Sequence, residues 1–284
     1  MNLSMLLIFI LTTLVLTAIL WPWYRQRQQR LRIAETAFPA AWRKILRQQL
    51  PLYRSLPTDL QLRLKKLVQL FLAEKQFIGC DGLEITDEIR MNIAAQACLL
   101  VLNRPGPLYP ALTTILVYPA AYQVSTQQTD AAGVVRQTEQ IRLGESWQQG
   151  KVILSWPDSQ HGAALPHDGH NVVLHEFAHQ LDQENGGANG APQLPSDEAY
   201  RRWSQILSQE FAQLQQQLAT GQASLFDPYA ATNPAEFFAV ITEVFFEQPQ
   251  LFLLRHPALY QQLRSYYRLD PSLWTQTPTQ FSLN

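Results

Sequence analysis

His175, Glu176 and His179 form a His-Glu-x-x-His pattern inside the stretch Asn171-Val-Val-Leu-His-Glu-Phe-Ala-His-Gln-Leu-Asp182. Val172, Val173, Leu174, Phe177, Ala178 and Leu181 fill the remaining positions and give the stretch the composition of a mostly buried helix. Residues four apart leave the same face of a helix, so the two imidazoles point the same way. Neutral imidazoles at this spacing can hold a zinc ion. The glutamate after the first histidine is then set to take a proton from a water that the ion activates. Burying two histidines and a glutamate without partners is costly, so a packed helix that carries them needs a reason to do so. The pattern is short, and two ligands do not make a site. A third must come from elsewhere in the chain.

The residues after the pattern exclude one source. A helix continuing as His-Glu-x-x-His-x-x-Gly-x-x-His supplies a third imidazole, but those two positions are Asp182 and Asn185 here. The other common source is a glutamate on a later helix. Asn233-Pro-Ala-Glu opens such a segment, in which Glu236 and Glu243 stand seven residues apart on nearly one face, separated by the apolar run from Phe237 to Ile241. Spacing alone leaves both open. Asn233 reads as an N-cap with Pro234 at the first helical position, so Glu236 stands where a glutamate often folds back to cap the backbone. Glu243 reads either as a charge at the helix edge or as a partner that orients a metal-bound imidazole. Asp182 is a further orienting candidate, or a solvated residue of the last turn. His161, His167 and His170 read as polar loop residues.

The chain must supply elements to hold these groups. At 284 residues and 46% hydrophobic content it can bury one large core. A formal net charge of -1 argues against direct nucleic-acid binding. Cys80 and Cys98, the two cysteines, read as reduced thiols rather than a disulfide framework. Helical spacing runs from Ala37 to Leu50, stopped by Pro51, and again from Thr58 or Asp59 through Phe71. A third helix opens at Thr86-Asp87-Glu88 and reaches Leu102. Gly79 and Gly82 mark a turn. Thr114–Tyr118 and Lys151–Trp156 read as strands. The second of these is either an edge strand lining a substrate groove or an ordinary sheet strand. Gln123 to Arg142 reads as a hairpin or exposed loop around Gly133. Asp158 to Gly169 reads as loop, Ser196 to Leu218 as a long helix, Leu225 to Ala231 as loop, and Leu251 to Tyr267 as helical. The expected fold class is α+β, mainly helical, with a small sheet.

The first residues are of another kind. Leu3 to Trp21 is uncharged and apolar, about the length of a membrane-spanning helix, with Trp21, Trp23 and Tyr24 at its end and Arg25, Arg27, Arg30 and Arg32 beyond. The basic side is expected in the cytoplasm by the positive-inside rule. A cleaved signal peptide would carry a basic start and a small-residue cleavage site, and neither is evident. The expected organisation is a transmembrane anchor over 1–24, a basic juxtamembrane linker and helix over 25–54, a zinc peptidase domain over 55–270 and a tail over 271–284. The expected location is a single pass through the inner (cytoplasmic) membrane with the catalytic domain facing the cytoplasm.

The segments His175-Glu-Phe-Ala-His-Gln-Leu-Asp182 and Tyr229-Ala-Ala-Thr-Asn-Pro-Ala-Glu236-Phe-Phe-Ala-Val-Ile-Thr-Glu243-Val-Phe-Phe together resemble the Mlc titration factor A family of bacterial zinc peptidases. Gly144-Glu-Ser-Trp-Gln-Gln-Gly150 through Trp156, and the region from Gly79 to Leu102, are similar to that family too. The resemblance implies a gluzincin-type (zincin-type) catalytic core. It implies zinc on His175, His179 and Glu236, Glu176 as general base, and Tyr229 at the active site. It also implies aminopeptidase activity on a peptide or protein substrate and, as in enteric members, binding of a transcriptional repressor. The apolar N-terminal run departs from those enteric members. The competing function is a membrane-tethered binding protein that keeps the metal, sequesters a repressor and hydrolyses little. An intact Glu176 argues against it.

Overall fold

The computed structural model describes residues 3–120, 122–129, 135–142, 144–147 and 150–274. The turn expected at Gly133 and the chain beyond 274 lie outside them. The residues fall into two compact units, Met1–Phe38 and Pro39–Asn284.

The first unit is one helix, α1 (Leu3–Glu35), which runs without a break from the apolar stretch into the arginine-bearing segment. Leu11, Leu14, Leu16, Ile19 and Leu20 are exposed along it. Among the described residues no single helix is long and apolar enough to cross a membrane, and the apolar helical stretch of this unit is Ile10–Trp21. The rings of Trp21 and Tyr24 lie 6.1 Å apart at its end.

The second unit opens with α2 (Ala40–Gln49), α3 (Pro51–Ser55) and α4 (Thr58–Glu74). Strand β1 (Gln76–Gly79) leads through a turn at Gly82 to α5 (Asp87–Leu100), whose N-cap Thr86 accepts a hydrogen bond from the Ile89 amide. Strand β2 (Thr114–Tyr118) follows, then a hairpin of β3 (Tyr122–Thr129) and β4 (Val135–Arg142), then β5 (Gly144–Trp147) and β6 (Lys151–Ser155). Helices α6 (Trp156–Ala164), α7 (Val172–Asp182), α8 (Asp197–Ala219), α9 (Pro234–Glu247), α10 (Pro249–Arg255) and α11 (Pro257–Tyr267) complete the unit. The fold is α+β, mainly helical, with one four-stranded sheet in the order β1-β2-β6-β5. The first three of these strands are parallel, and β5 is antiparallel to β6.

The differences from the sequence reading share a physical cause. Proline ends one element, but its fixed φ also suits the first turn of the next helix. Pro157 therefore starts α6 where a loop is expected, Pro51 starts α3, and Pro257 divides the expected C-terminal helix into α10 and α11. Strand β1 escapes the reading because it is four residues long and alternates between exposed and half-buried positions. The groove-lining reading of Lys151–Trp156 does not hold. β6 is paired on both sides, by β2 and β5, and the edge of the sheet beside α7 is β5.

Packing centres on α5, α7 and α9. Phe177 of α7 inserts between Phe71 (5.8 Å between ring centroids) and Tyr109 (4.9 Å). Helix α9 is apolar around nearly its whole circumference and is accordingly buried. Phe238, Phe245 and Phe246 meet Trp203, Tyr260, Tyr266 and Tyr267, and Phe237 meets Phe211 and Phe226, in edge-to-face and tilted pairs.

Candidate metal centre

Asn171 fixes the start of α7. Its side-chain oxygen accepts the Leu174 amide at 3.0 Å, a standard N-cap bond. From there Val173, Leu174, Phe177, Ala178 and Leu181 face the core, and His175 and His179 leave the remaining face one turn apart. Asn233 caps α9 in the same way, accepting the amides of Ala235 (2.9 Å) and Glu236 (3.0 Å). Because the asparagine does the capping, the Glu236 carboxylate is free to reach α7.

The two helices bring three donor atoms together. Glu236 Oε2 lies 3.0 Å from His175 Nε2 and 3.3 Å from His179 Nε2, and the two imidazole nitrogens are 3.2 Å apart. Tetrahedral zinc bonds place neighbouring ligand atoms roughly 3.3–3.6 Å apart, so this donor set fits a single zinc ion with small adjustments. Three protein ligands leave one position for water or substrate, the arrangement of a catalytic rather than a structural site. Among the described residues this is the one cluster of His, Cys, Asp and Glu able to hold a metal ion.

Glu243 takes the other role open to it. Its Oε1 lies 2.8 Å from His175 Nδ1, on the far side of the ring from the donor cluster, and its Oε2 accepts the Asn171 amide. A carboxylate there holds the proton on Nδ1 and turns the Nε2 lone pair toward the cluster. The fields agree with a centre built for positive charge. Burial works against a proton on His175, but hydrogen bonds to Glu236 and Glu243 outweigh it and raise its pKa well above the imidazole range. Burial likewise works against a charged Glu236, yet the two histidines hold its carboxyl well below the usual carboxylate range.

Sequence reasoning missed Glu247. It stands four residues after Glu243 on the same face of α9, and its carboxylate accepts the Gly169 amide and the Asn171 side-chain amide, each at 3.0 Å. Burial, the first cause, raises its pKa well above the usual range. Glu236, Glu243 and Glu247 thus form one line of carboxylates along α9 that grips α7 and the residues before it. The signal lay in the sequence: three glutamates at spacings of seven and four on an otherwise apolar helix.

The other candidates separate clearly. Glu176 is buried, 5% exposed, on α7. Tyr229 lies on a 3-10 turn (Pro228–Ala231), half-exposed, with its ring 6.1 Å from that of His175. His161 and His170 are exposed, and His161 faces Asp168 at 3.5 Å. Asp182 neither orients an imidazole through a hydrogen bond nor meets solvent. It is fully buried, and its carboxylate accepts the Gly190 amide at 2.8 Å.

Gly190 sits where three helices meet. Its amide goes to Asp182 of α7, its carbonyl accepts the Trp203 indole N–H of α8 at 2.8 Å, and its Cα faces the Pro234 carbonyl at the start of α9. Its φ is +74°, and a methyl group there would lie 2.3 Å from the Pro234 oxygen. Gly190→Ala is expected to cost about 1–3 kcal/mol from the left-handed backbone alone, with the contact adding to it. An unchanged urea midpoint would contradict this packing.

Comparison with known proteins supports the same reading. The profile of the glucose-regulated metallo-peptidase M90 family matches residues 21–268. An uncharacterized protein of Synechocystis is 44% identical over 252 residues, covering 88% of this chain and 90% of the relative. The Mlc titration factor A proteins of Salmonella arizonae and of Enterobacter are 35% and 36% identical over 255 and 256 residues. These matches cover 89% and 88% of this chain, and 97% and 92% of the relatives. With the profile spanning the donor cluster and both helices that form it, the chain belongs to the glucose-regulated metallo-peptidase M90 family, alongside the Mlc titration factor A proteins.

Proposed function

We propose that this metallopeptidase-family chain is a zinc aminopeptidase of the gluzincin (zincin) type, with His175, His179 and Glu236 as the ligands. The observation that carries the reading is the convergence of those three donor atoms while Glu243 occupies the opposite nitrogen of His175. Zinc, when bound, would polarise a scissile carbonyl and lower the pKa of a water. Glu176 then accepts the proton of the attacking water and hands it to the leaving amine. Tyr229, beside the His175 ring, donates a hydrogen bond to the oxyanion that develops. Glu243 keeps the His175 ring in one tautomer and orientation throughout. The sheet edge at β5, lying along α7, offers backbone groups to an extended peptide.

The same proposal assigns residues 1–24 to a membrane anchor, with the basic segment and the peptidase unit on the cytoplasmic face. Its support is the uncharged apolar run, the aromatic residues at its end and the arginines that follow. Retention of the full chain in alkali-washed membranes is the expected result, and release of a shortened soluble chain would overturn the anchor. The name carried by the enteric relatives points to an Mlc-type transcriptional repressor as a partner.

Assays of the purified full chain on short peptides test the function. Hydrolysis of peptides with a free N-terminus, loss of activity with a zinc chelator, and no cleavage of N-terminally blocked versions are expected. Slower turnover in Tyr229→Phe with unaltered zinc content would support its role. Repressor capture by wild-type chain and Glu176→Gln alike, with no peptide cleaved, would favour the binding-protein reading instead.

A further inference from the structure

A second concave site lies outside the metal centre. A cavity of about 550 Å³ is walled by Leu67, Leu102, Leu108, Leu194, Trp203 and Tyr266, and none of the metal-centre residues lines it. That volume is in the range of pockets that enclose small organic ligands. Its charged lining is unbalanced: Arg63, Arg104 and Arg268 against Glu184.

The four charges do not play equal parts. Arg104 and Glu184 satisfy each other at 2.9 Å, both largely buried, and the Arg104 guanidinium lies over the Tyr266 ring at 4.7 Å. That pair forms part of the wall. Arg63 and Arg268 are exposed and supply two positive charges with no carboxylate of the lining left to balance them. Asn103 lies between the two residues, accepting from Arg63 Nη1 at 2.8 Å and donating to the Arg268 backbone carbonyl at 2.9 Å, so the Arg63 head group is held close to the backbone of Arg268. Two exposed arginines on a convex face would be ordinary solvated charges. Beside a concave wall of mixed polar and apolar surface they combine the two things an organic anion requires, apolar patches for its body and planar donors for its head group.

We propose that this cavity binds a small organic anion, an apolar and preferably aromatic body ending in a carboxylate or phosphate. The body packs against Leu67, Leu194 and Pro107, whose side chains keep surface toward the cavity, and Arg63 and Arg268 hold the anionic end. Glu184 lies in the 3-10 turn (Gln183–Asn185) that directly follows α7, so the site borders the end of the helix carrying His175 and His179.

Calorimetric titration of the zinc-loaded full chain with naphthoate and naphthyl phosphate tests this, with neutral naphthol and inorganic phosphate as comparisons. Saturable one-to-one binding of at least one anion is expected, with naphthol and inorganic phosphate about tenfold weaker or more. The anion that binds tighter identifies the head group. The double variant Arg63→Gln/Arg268→Asn should lose the advantage of the anion over naphthol. Asparagine is chosen because position 268 has φ +54°, which it tolerates. Should the double variant fail to fold, Arg63→Gln alone, on the exposed face of α4, should still weaken the anion and leave naphthol unchanged. Equal binding of naphthol and the anions, full anion affinity in the folded variant, or no saturable binding at millimolar concentration would each overturn the proposal.

Discussion

Glu176→Gln is expected to abolish peptide hydrolysis while leaving zinc bound. Glutamine keeps the size and shape of the buried side chain but cannot accept a proton, so the change isolates proton transfer from packing. Loss of a positioned general base costs about 100- to 10,000-fold in turnover. The proposed zinc donors, His175, His179 and Glu236, are untouched by the substitution, so metal content measured by elemental analysis should stay at the wild-type level. The informative comparison is kcat at matched zinc occupancy. A variant that turns over at the normal rate would remove Glu176 from the mechanism. One that loses zinc in step with activity would move the residue from proton transfer to holding the centre together.

Glu236→Ala and Glu243→Ala should part company. Both carboxylates lie on α9 and both touch His175, but on opposite nitrogens. Removing Glu236 deletes one of three donor atoms and leaves two histidines on a single helix, so zinc should be lost on dialysis. Removing Glu243 leaves all three donors and takes away the group that holds the Nδ1 proton, an effect of about 10- to 100-fold on metal affinity. Competition with a zinc-binding dye reads both. Equal retention in the two variants would overturn the assignment of ligand and orienting partner. A greater loss in Glu243→Ala would reverse it.

The centre was more legible in the sequence than the elements around it. His175, Glu176 and His179 announce themselves because three costly polar groups at helical spacing interrupt an apolar run. Glu236 was visible but ambiguous, since its place in the first turn of α9 is also where a glutamate caps. That ambiguity ended with the Asn233 side chain, which makes both capping bonds and is a contact no spacing rule ranks. Glu247 went unread because its partners, Gly169 and Asn171, lie 78 and 76 residues away in sequence. Pairing of that kind is set by packing. The misreadings of β1, α6 and the α10–α11 break come from short elements and from prolines that serve as both a stop and a start.

The junction at Gly190 has a mechanical consequence for the whole centre. One residue commits its amide to α7, its carbonyl to α8 and its bare Cα to α9. A displacement of α8 therefore reaches α7 and α9 through this one residue, and reaches α9 also through the Trp203–Phe238 and Phe211–Phe237 ring contacts. Position 190 is thereby confined to a residue with no side chain, because any Cβ there would be driven into the first turn of the helix that carries Glu236.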